Sequence, residues 1–336
     1  MEYKYKLVFD VNGNDLGPLQ CFLAVQDFVK KYKDTQVTLV GDVKDFLHLV
    51  IDNDAIQLIQ NDLKPADPKN IRGSMSEKTA MNQAIQMIID KEADGILSAG
   101  DSGLYISALT LKAKRLENVS RPAFMPVANK VNGEKLLFLD VGANIETKPE
   151  YLVEWAYLAN CFYKTMFKNE PKVALLNIGT EDYKGLDFVK QAHSQLTNQN
   201  DLNYVGFRET RNLFKDDYNI AVIDGYAGNI MLKSYEGAVM TFTGALKETI
   251  YSKFLYKLGA FLLKGAFKKV ASTLDYRSVG CAWVLGVNAL ALKAHGSSDH
   301  VSYFNALVSL REAVSKNVLE QLKTSLVKQV VEQADE

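Results

Sequence analysis

The chain has 336 residues, 47% hydrophobic and 24% charged, an ordinary globular composition with enough length for a large buried core. Its 39 Lys and Arg stand against 40 Asp and Glu, so the molecule as a whole has no field that recruits nucleic acid, and any basic surface must be local. Cys21, Cys161 and Cys281 are far apart without C-x-x-C spacing, which sets aside a disulfide framework and a zinc site, and no stretch reaches about 18 uncharged apolar residues, so no bilayer-spanning segment is expected.

The chain opens with Met1 to Lys6, which lead straight into an apolar run without the basic and apolar regions of a signal peptide, so a cytoplasmic protein is expected. Short β-branched or apolar runs then recur at Leu7-Val8-Phe9, Val37 to Val40, Gly95 to Leu97, Leu136 to Leu139, Val173 to Leu176 and Ile220 to Ile223. Helix-like segments separate them. This alternation predicts an α/β fold, a mostly parallel, doubly wound sheet covered by helices on both faces. Several runs end in small or polar clusters: Asp10-Val11-Asn12-Gly13, Ser98 to Gly103, Asp140 to Asn144, Asn177-Ile178-Gly179 and Asp224-Gly225-Tyr226. Strand carboxyl ends in an open parallel sheet form the ligand-binding edge, so these clusters are expected together on one edge.

From about Met231 to about Lys269 the strand rhythm stops and helix formers continue. A helical excursion over 231–285 is therefore expected within a single domain of 1–336, protruding as a hairpin that turns near Gly259 or Gly265. Between Leu246 and Arg277 its local net charge is +5. At about 100° per residue, Lys253, Lys257, Lys264 and Lys268 share an arc opposite Tyr251, Leu255, Leu258 and Leu262. That pattern suits dimer packing, an anionic membrane surface or an acidic partner. A closing helix is expected from about Tyr303 to Val330.

Two nucleotide signatures are absent: Asn12 to Gly17 is not G-x-G-x-x-G, and Gly228 to Ser234 lacks the glycine that precedes a P-loop lysine. NAD and ATP are thus disfavoured. The turn Ser98 to Gly103 offers backbone N–H groups and two hydroxyls at a helix start, which reads either as an anion seat or as an ordinary cap. Lys184 and Lys233 come after glycine-bearing turns, Lys293 precedes His295-Gly296-Ser297-Ser298, and Asp224 sits at a strand end. Each of these is open to a plain structural reading as well as a functional one.

Taken in order, the motifs resemble the PlsX-type phosphate acyltransferase family. Asp10-Val11-Asn12-Gly13-Asn14-Asp15 resembles its D-A-M-G-G-D, and Ser98 to Gly103 its S-A-G-N-T-G. Arg121-Pro122-Ala123, Leu139 to Asn144, Leu175 to Gly185, Asp224 to Asn229, Leu232-Lys233 and Lys293 to Asp299 continue in family order over nearly the whole chain. The resemblance implies a three-layer α/β/α sandwich similar to phosphotransacetylases and isocitrate dehydrogenases, acting as a homodimer with no metal and no organic cofactor. It also implies reversible transfer of a long-chain fatty acyl group between acyl-carrier-protein thioester and inorganic phosphate. The acyl phosphate serves a membrane glycerol-phosphate acyltransferase in phospholipid synthesis, so peripheral membrane association is expected. For that reaction Lys184, His295 and Asp224 are the expected catalytic groups, with Ser98, Ser102, Asn144, Asn177, Asn229, Lys233 and Lys293 the expected phosphate contacts. Asn14, Asp101, Phe207 and Cys281 depart from the family pattern. Asn14 is expected to tolerate positive φ, Asp101 to repel phosphate unless it points away, and Phe207 and Cys281 to narrow an acyl channel. The alternatives are a catalytically weakened acyl-carrier-protein-binding or membrane-associated homologue, and a short-chain phosphotransacetylase.

Overall fold

The computed structural model describes residues 3–50, 53–67, 69–267, 270 and 281–335, with side chains described as far as residue 326. Its strands are β1 (Tyr5–Asp10), β2 (Thr35–Gly41), β3 (Ile56–Gln60), β4 (Gly95–Ser98), β5 (Ala123–Asn129), β6 (Lys135–Leu139), β7 (Val173–Leu176), β8 (Tyr204–Arg208), β9 (Ile220–Val222), β10 (Cys281–Leu285) and β11 (Ala291–Ala294). They form one 11-stranded sheet in the order β3-β2-β1-β4-β11-β10-β5-β6-β9-β7-β8. Neighbours are parallel except where β10 meets β11 and β5 and where β5 meets β6. The sheet is therefore mostly parallel, with an antiparallel seam at its centre.

Alternating side chains divide the core between the two faces. Leu7 and Phe9 of β1 join one apolar cluster and Val8 joins the other. The helices α1 (Pro18–Lys31), α5 (Pro149–Phe167), α6 (Asp187–Thr197), α9 (His300–Ser315) and α10 (Val318–Asp335) cover the first face. On the second lie α3 (Ala80–Ile89), α4 (Ser102–Ala108) and the first turns of α7 (Gly225–Ser252), while α2 (Ile71–Ser76) packs beside α4. The result is the α/β/α sandwich. In α1, Pro18 opens the first turn, Cys21, Phe22, Val25, Phe28 and Val29 repeat on one buried face, and Lys30 and Lys31 end it against the helix dipole. Each fully buried side chain such as Phe22 or Phe28 contributes roughly 1.5–3 kcal/mol.

The seam overturns the single-edge expectation. Because β1, β4 and β11 run opposite to β6, β9 and β7, the polar clusters after them leave from opposite edges of the sheet. The seam also limits the separation: Lys293 pairs with Ala282, Ala282 with Pro126, and Val127 with Leu137, so β6 ends beside Phe124 to Pro126. The loop after β6 thus stays near the ends of β1, β4 and β11. The loop after β7 lies two strands further out.

Helix α7 starts at Gly225, directly after β9, and only Gly225 and Gly228 in it are buried, so most of its 28 residues stand off the body. It breaks first at the extended Lys253; Gly259 lies inside α8 (Phe254–Leu262), whose C-cap is Leu263, two residues before Gly265. A glycine in open space costs a helix only about 1 kcal/mol, so it need not end one. The expected 231–285 excursion is also corrected at its end, where Cys281–Leu285 is strand β10. Lys268, Lys269, Asp275 and Arg277 of the basic stretch lie outside the described residues. The closing helix is two helices, α9 and α10, separated at Asn317, whose φ is 53°.

Candidate active-site cleft

Three parallel strand ends form the floor of a cleft of about 540 Å³. Register sets Asp10 beside Ser98 and Ser98 beside Lys293, so their side chains share one face of the sheet. The Ser98 hydroxyl donates to Asp10 Oδ2 at 2.7 Å and accepts from the Gly100 N–H at 3.1 Å. The Asn12 N–H donates to Asp10 Oδ1 at 3.3 Å. Asp10 is 1% exposed, and burial pushes its carboxyl up to about 7 against the opposing pull of Ser98, Asn12 and Lys293. Lys293, 8% exposed, is pushed down by burial to about 8, while the carboxylates of Asp10, Asp101 and Asp15 work to keep it charged. Its ammonium donates to the Ala294 carbonyl.

Above this floor the chain turns through Ala99, Gly100, Asp101 and Ser102 into α4. Asp101 Oδ1 accepts from the Leu104 N–H at 2.8 Å, so the carboxylate that could repel an anion is committed to capping the helix. Gly13 closes over the turn with φ 101°, and a Cβ there would stand 2.9 Å from the Ala99 oxygen. Only glycine fits that approach.

The opposite wall comes from α7. A Cβ on Gly228 would sit 1.9 Å from the Asp140 carbonyl oxygen and one on Gly225 would sit 2.2 Å from that of Asn144, so these glycines let the helix lie on the loop after β6. Asn229 and Lys233, one turn apart, thereby line the cleft with Gly142. His295 stands exposed at the rim, its Nδ1 2.9 Å from the Ser297 hydroxyl. Cys281 also lines the cleft, with a thiol pushed up to about 12 by burial, so at neutral pH it is protonated and a poor nucleophile.

Of the expected site residues, Ser102, Asn229, Lys233, Lys293 and His295 line this cleft together. Ser98 lies beneath it, holding Asp10. The others are placed elsewhere by their own bonds. Asn144 Nδ2 donates to the Pro122 carbonyl at 2.8 Å and to Asp140 Oδ2 at 3.0 Å, knitting the loop after β6. Asp224 is the N-cap of α7, its Oδ1 accepting from the Ala227 N–H at 2.9 Å. Asn177 Nδ2 donates to the Lys184 carbonyl at 3.0 Å, and Lys184 Nζ pairs with Glu181 at 2.7 Å on the outlying loop after β7. Phe207 is buried against His193, ring centroids 4.2 Å apart, and is not among the residues that line this cleft. Asp10, which the sequence shows as a polar strand end and a motif member but not as a candidate site residue, is the carboxyl buried beneath the cleft. Its signal was a carboxylate at the end of an apolar strand. Among the described residues no group of three His, Cys, Asp or Glu side chains could hold a metal ion.

Comparison with known proteins gives a consistent picture. The family described as fatty acid synthesis protein matches residues 5–321. A phosphate acyltransferase from Mycoplasmopsis agalactiae is 46% identical over 328 residues, covering 96% of this chain and 98% of the relative. One from Mycoplasmopsis pulmonis is 43% identical over 322 residues, covering 95% and 99%. Among solved structures, a phosphotransacetylase from Streptococcus pyogenes superposes with a TM-score of 0.60 over 93% of this chain and 94% of its own, at 16% identity, a likeness of fold alone.

Proposed function

The chain belongs to the fatty acid synthesis protein family, together with the bacterial phosphate acyltransferases, and we propose that its acyl transfer to phosphate takes place in the cleft between Lys293 and Lys233. The observation that carries this reading is the convergence of two lysines, Asn229 and the turn Ala99 to Ser102 on one space. Phosphate near neutral pH is largely a dianion and attacks a thioester carbonyl without an activated serine or cysteine. Holding it in line is then the main task. Lys233, Lys293, Asn229 and the Ser102 hydroxyl supply donors for its oxygens, and the same positive wall stabilises the tetrahedral oxyanion. A phosphate oxygen bonds the acyl carbon, the C–S bond breaks, and the proton of hydrogenphosphate ends on the sulfur. A thiol with a pKa of roughly 8.5 leaves with little help.

In this reading the thioester is long-chain acyl-carrier protein, the product is the acyl phosphate of phospholipid synthesis, and the reaction is reversible. The enzyme acts as a homodimer. It touches an anionic membrane surface, or a membrane glycerol-phosphate acyltransferase, reversibly through α7 and α8. That contact is supported by Phe254 and Leu255 at 78% and 75% exposure beside Lys253 and Lys257. No helix among the described residues is long and apolar enough to cross a membrane.

The test measures thiol release from long-chain acyl-carrier protein with and without phosphate, and from acetyl-CoA in parallel. Phosphate-dependent release from the carrier protein is expected. Release from acetyl-CoA alone would replace it with the short-chain reaction, and no release from either would leave a binding protein. Lys293→Met should lower kcat/KM for phosphate about 100-fold, the scale of losing one preorganised donor to a developing charge.

A further inference from the structure

We infer that Asp10 is a positioning residue of this enzyme: its carboxylate, fixed by Ser98, keeps the Lys293 side chain charged in the free enzyme without touching substrate. The inference rests on the reading of the cleft given above. Lysine is costly to bury as a cation, and an ammonium with no anion beside it gives up its proton. Lys293 is nearly as buried as the core, yet it lines the space where phosphate is to be held. The charged and titratable groups around it come from several parts of the chain. Asp10 lies at the end of β1, Asp15 in the loop after it and Asp101 at the α4 cap, while Lys233 and Glu236 of α7 and the rim residue His295 share the cleft.

These groups are not equivalent. Asp101 spends an oxygen on the Leu104 N–H, and Asp15 is held at the Gly296 turn, where its N–H donates to the Gly296 carbonyl at 2.8 Å. Asp10 alone is buried on the cleft floor in register with Ser98 and Lys293. The 2.7 Å bond from Ser98 favours its ionised form and fixes one oxygen. The arrangement arms the free enzyme. Once phosphate binds, its own charge takes over the work of holding Lys293 protonated, and the Asp10 contribution fades.

The distinction makes the inference testable. Asp10→Asn keeps the shape and removes the charge. In this variant the basic limb of kcat/KM for phosphate, which reports the free enzyme, should move about one unit to lower pH. The basic limb of kcat, which reports the loaded enzyme, should move much less. Independently of turnover, competitive acetic anhydride labelling of the free protein across pH, read by mass spectrometry at Lys293, should show the same downward shift. An unshifted Lys293 titration, even with reduced activity, would overturn the inference, since Asp10 would then be structural. If Asp10→Asn does not fold, Ser98→Ala keeps the carboxyl and removes its donor. It should shift Lys293 in the same direction by less, and an unchanged titration there is equally fatal. If wild type shows no phosphate-dependent thiol release, the reaction assignment fails instead, and a shifted Lys293 titration would still support the coupling to Asp10.

Discussion

At Gly13 a φ of 101° coincides with a backbone approach that leaves no room for a Cβ, so two separate costs fall on any replacement. Gly13→Ala is expected to lose about 1–3 kcal/mol of stability, and it should also raise KM for phosphate by displacing the turn at Ala99 and Gly100. Thermal melting and phosphate saturation curves check the two effects separately. The next residue corrects an expectation. Positive φ falls at Gly13 and Gly17, not at Asn14. Asn14 Nδ2 instead donates to the Ser298 carbonyl at 3.1 Å and to the Tyr303 hydroxyl, tying the opening motif to the turn after β11. The sequence shows that an amide stands there, but a partner 284 residues away is chosen only by the fold.

Among the elements, α4 and the α7–α8 arm carry predictions of different kinds. Asp101 caps α4 and also lies at the cleft, so Asp101→Ala should cost about 1 kcal/mol in stability while lowering KM for phosphate through loss of a negative charge. Calorimetry and saturation kinetics should move in opposite senses. A rise in KM would show instead that the cap orders the phosphate turn. On the arm, Lys253 lies 5.3 Å from the Tyr256 ring centroid and Lys257 lies 5.4 Å from that of Tyr251, so cations and aromatics are interleaved along it. Replacing Lys257 and Lys264 with Glu should weaken sedimentation with anionic vesicles and remove its salt sensitivity. Equal sedimentation of both forms would exclude the membrane role. Some strands are hidden by their own residues. β5 carries Pro126, which argues against a central strand, and β3 mixes Gln with Ile and Leu. Once β10 and β5 are missed, the antiparallel seam is invisible.

Across the whole molecule, the buried floor of the cleft links stability to pH. Asp10 titrates near 7 when folded, far above its ordinary value of 3.8. The folded state therefore holds a proton that the unfolded chain has released, and the associated stability is complete below about 4 and lost as pH rises through 7. Chemical denaturation of wild type and Asp10→Asn across this range checks the sign. Wild type should lose stability relative to the variant as pH rises from about 4 to 7. A difference independent of pH would mean that Asp10 is ionised throughout.

The α/β alternation, the helical arm and the family motifs were all determined by local residue patterns, because apolar period, turn chemistry and glycine placement act over a few residues at a time. So were five of the residues that line the cleft. Which polar strand ends meet was not local. It depends on strand direction, and the reversal at β10 and β5 sends the clusters after β1 and β6 to opposite edges while register keeps them close. Strand order leaves Asn177 and Lys184 on the outlying loop after β7, and the parallel pairing of β1, β4 and β11 sets Asp10 and Lys293 on either side of Ser98. Burial does the rest, since a carboxyl and an ammonium acquire unusual protonation only when the packed sheet excludes water from both, and no stretch of sequence contains that information.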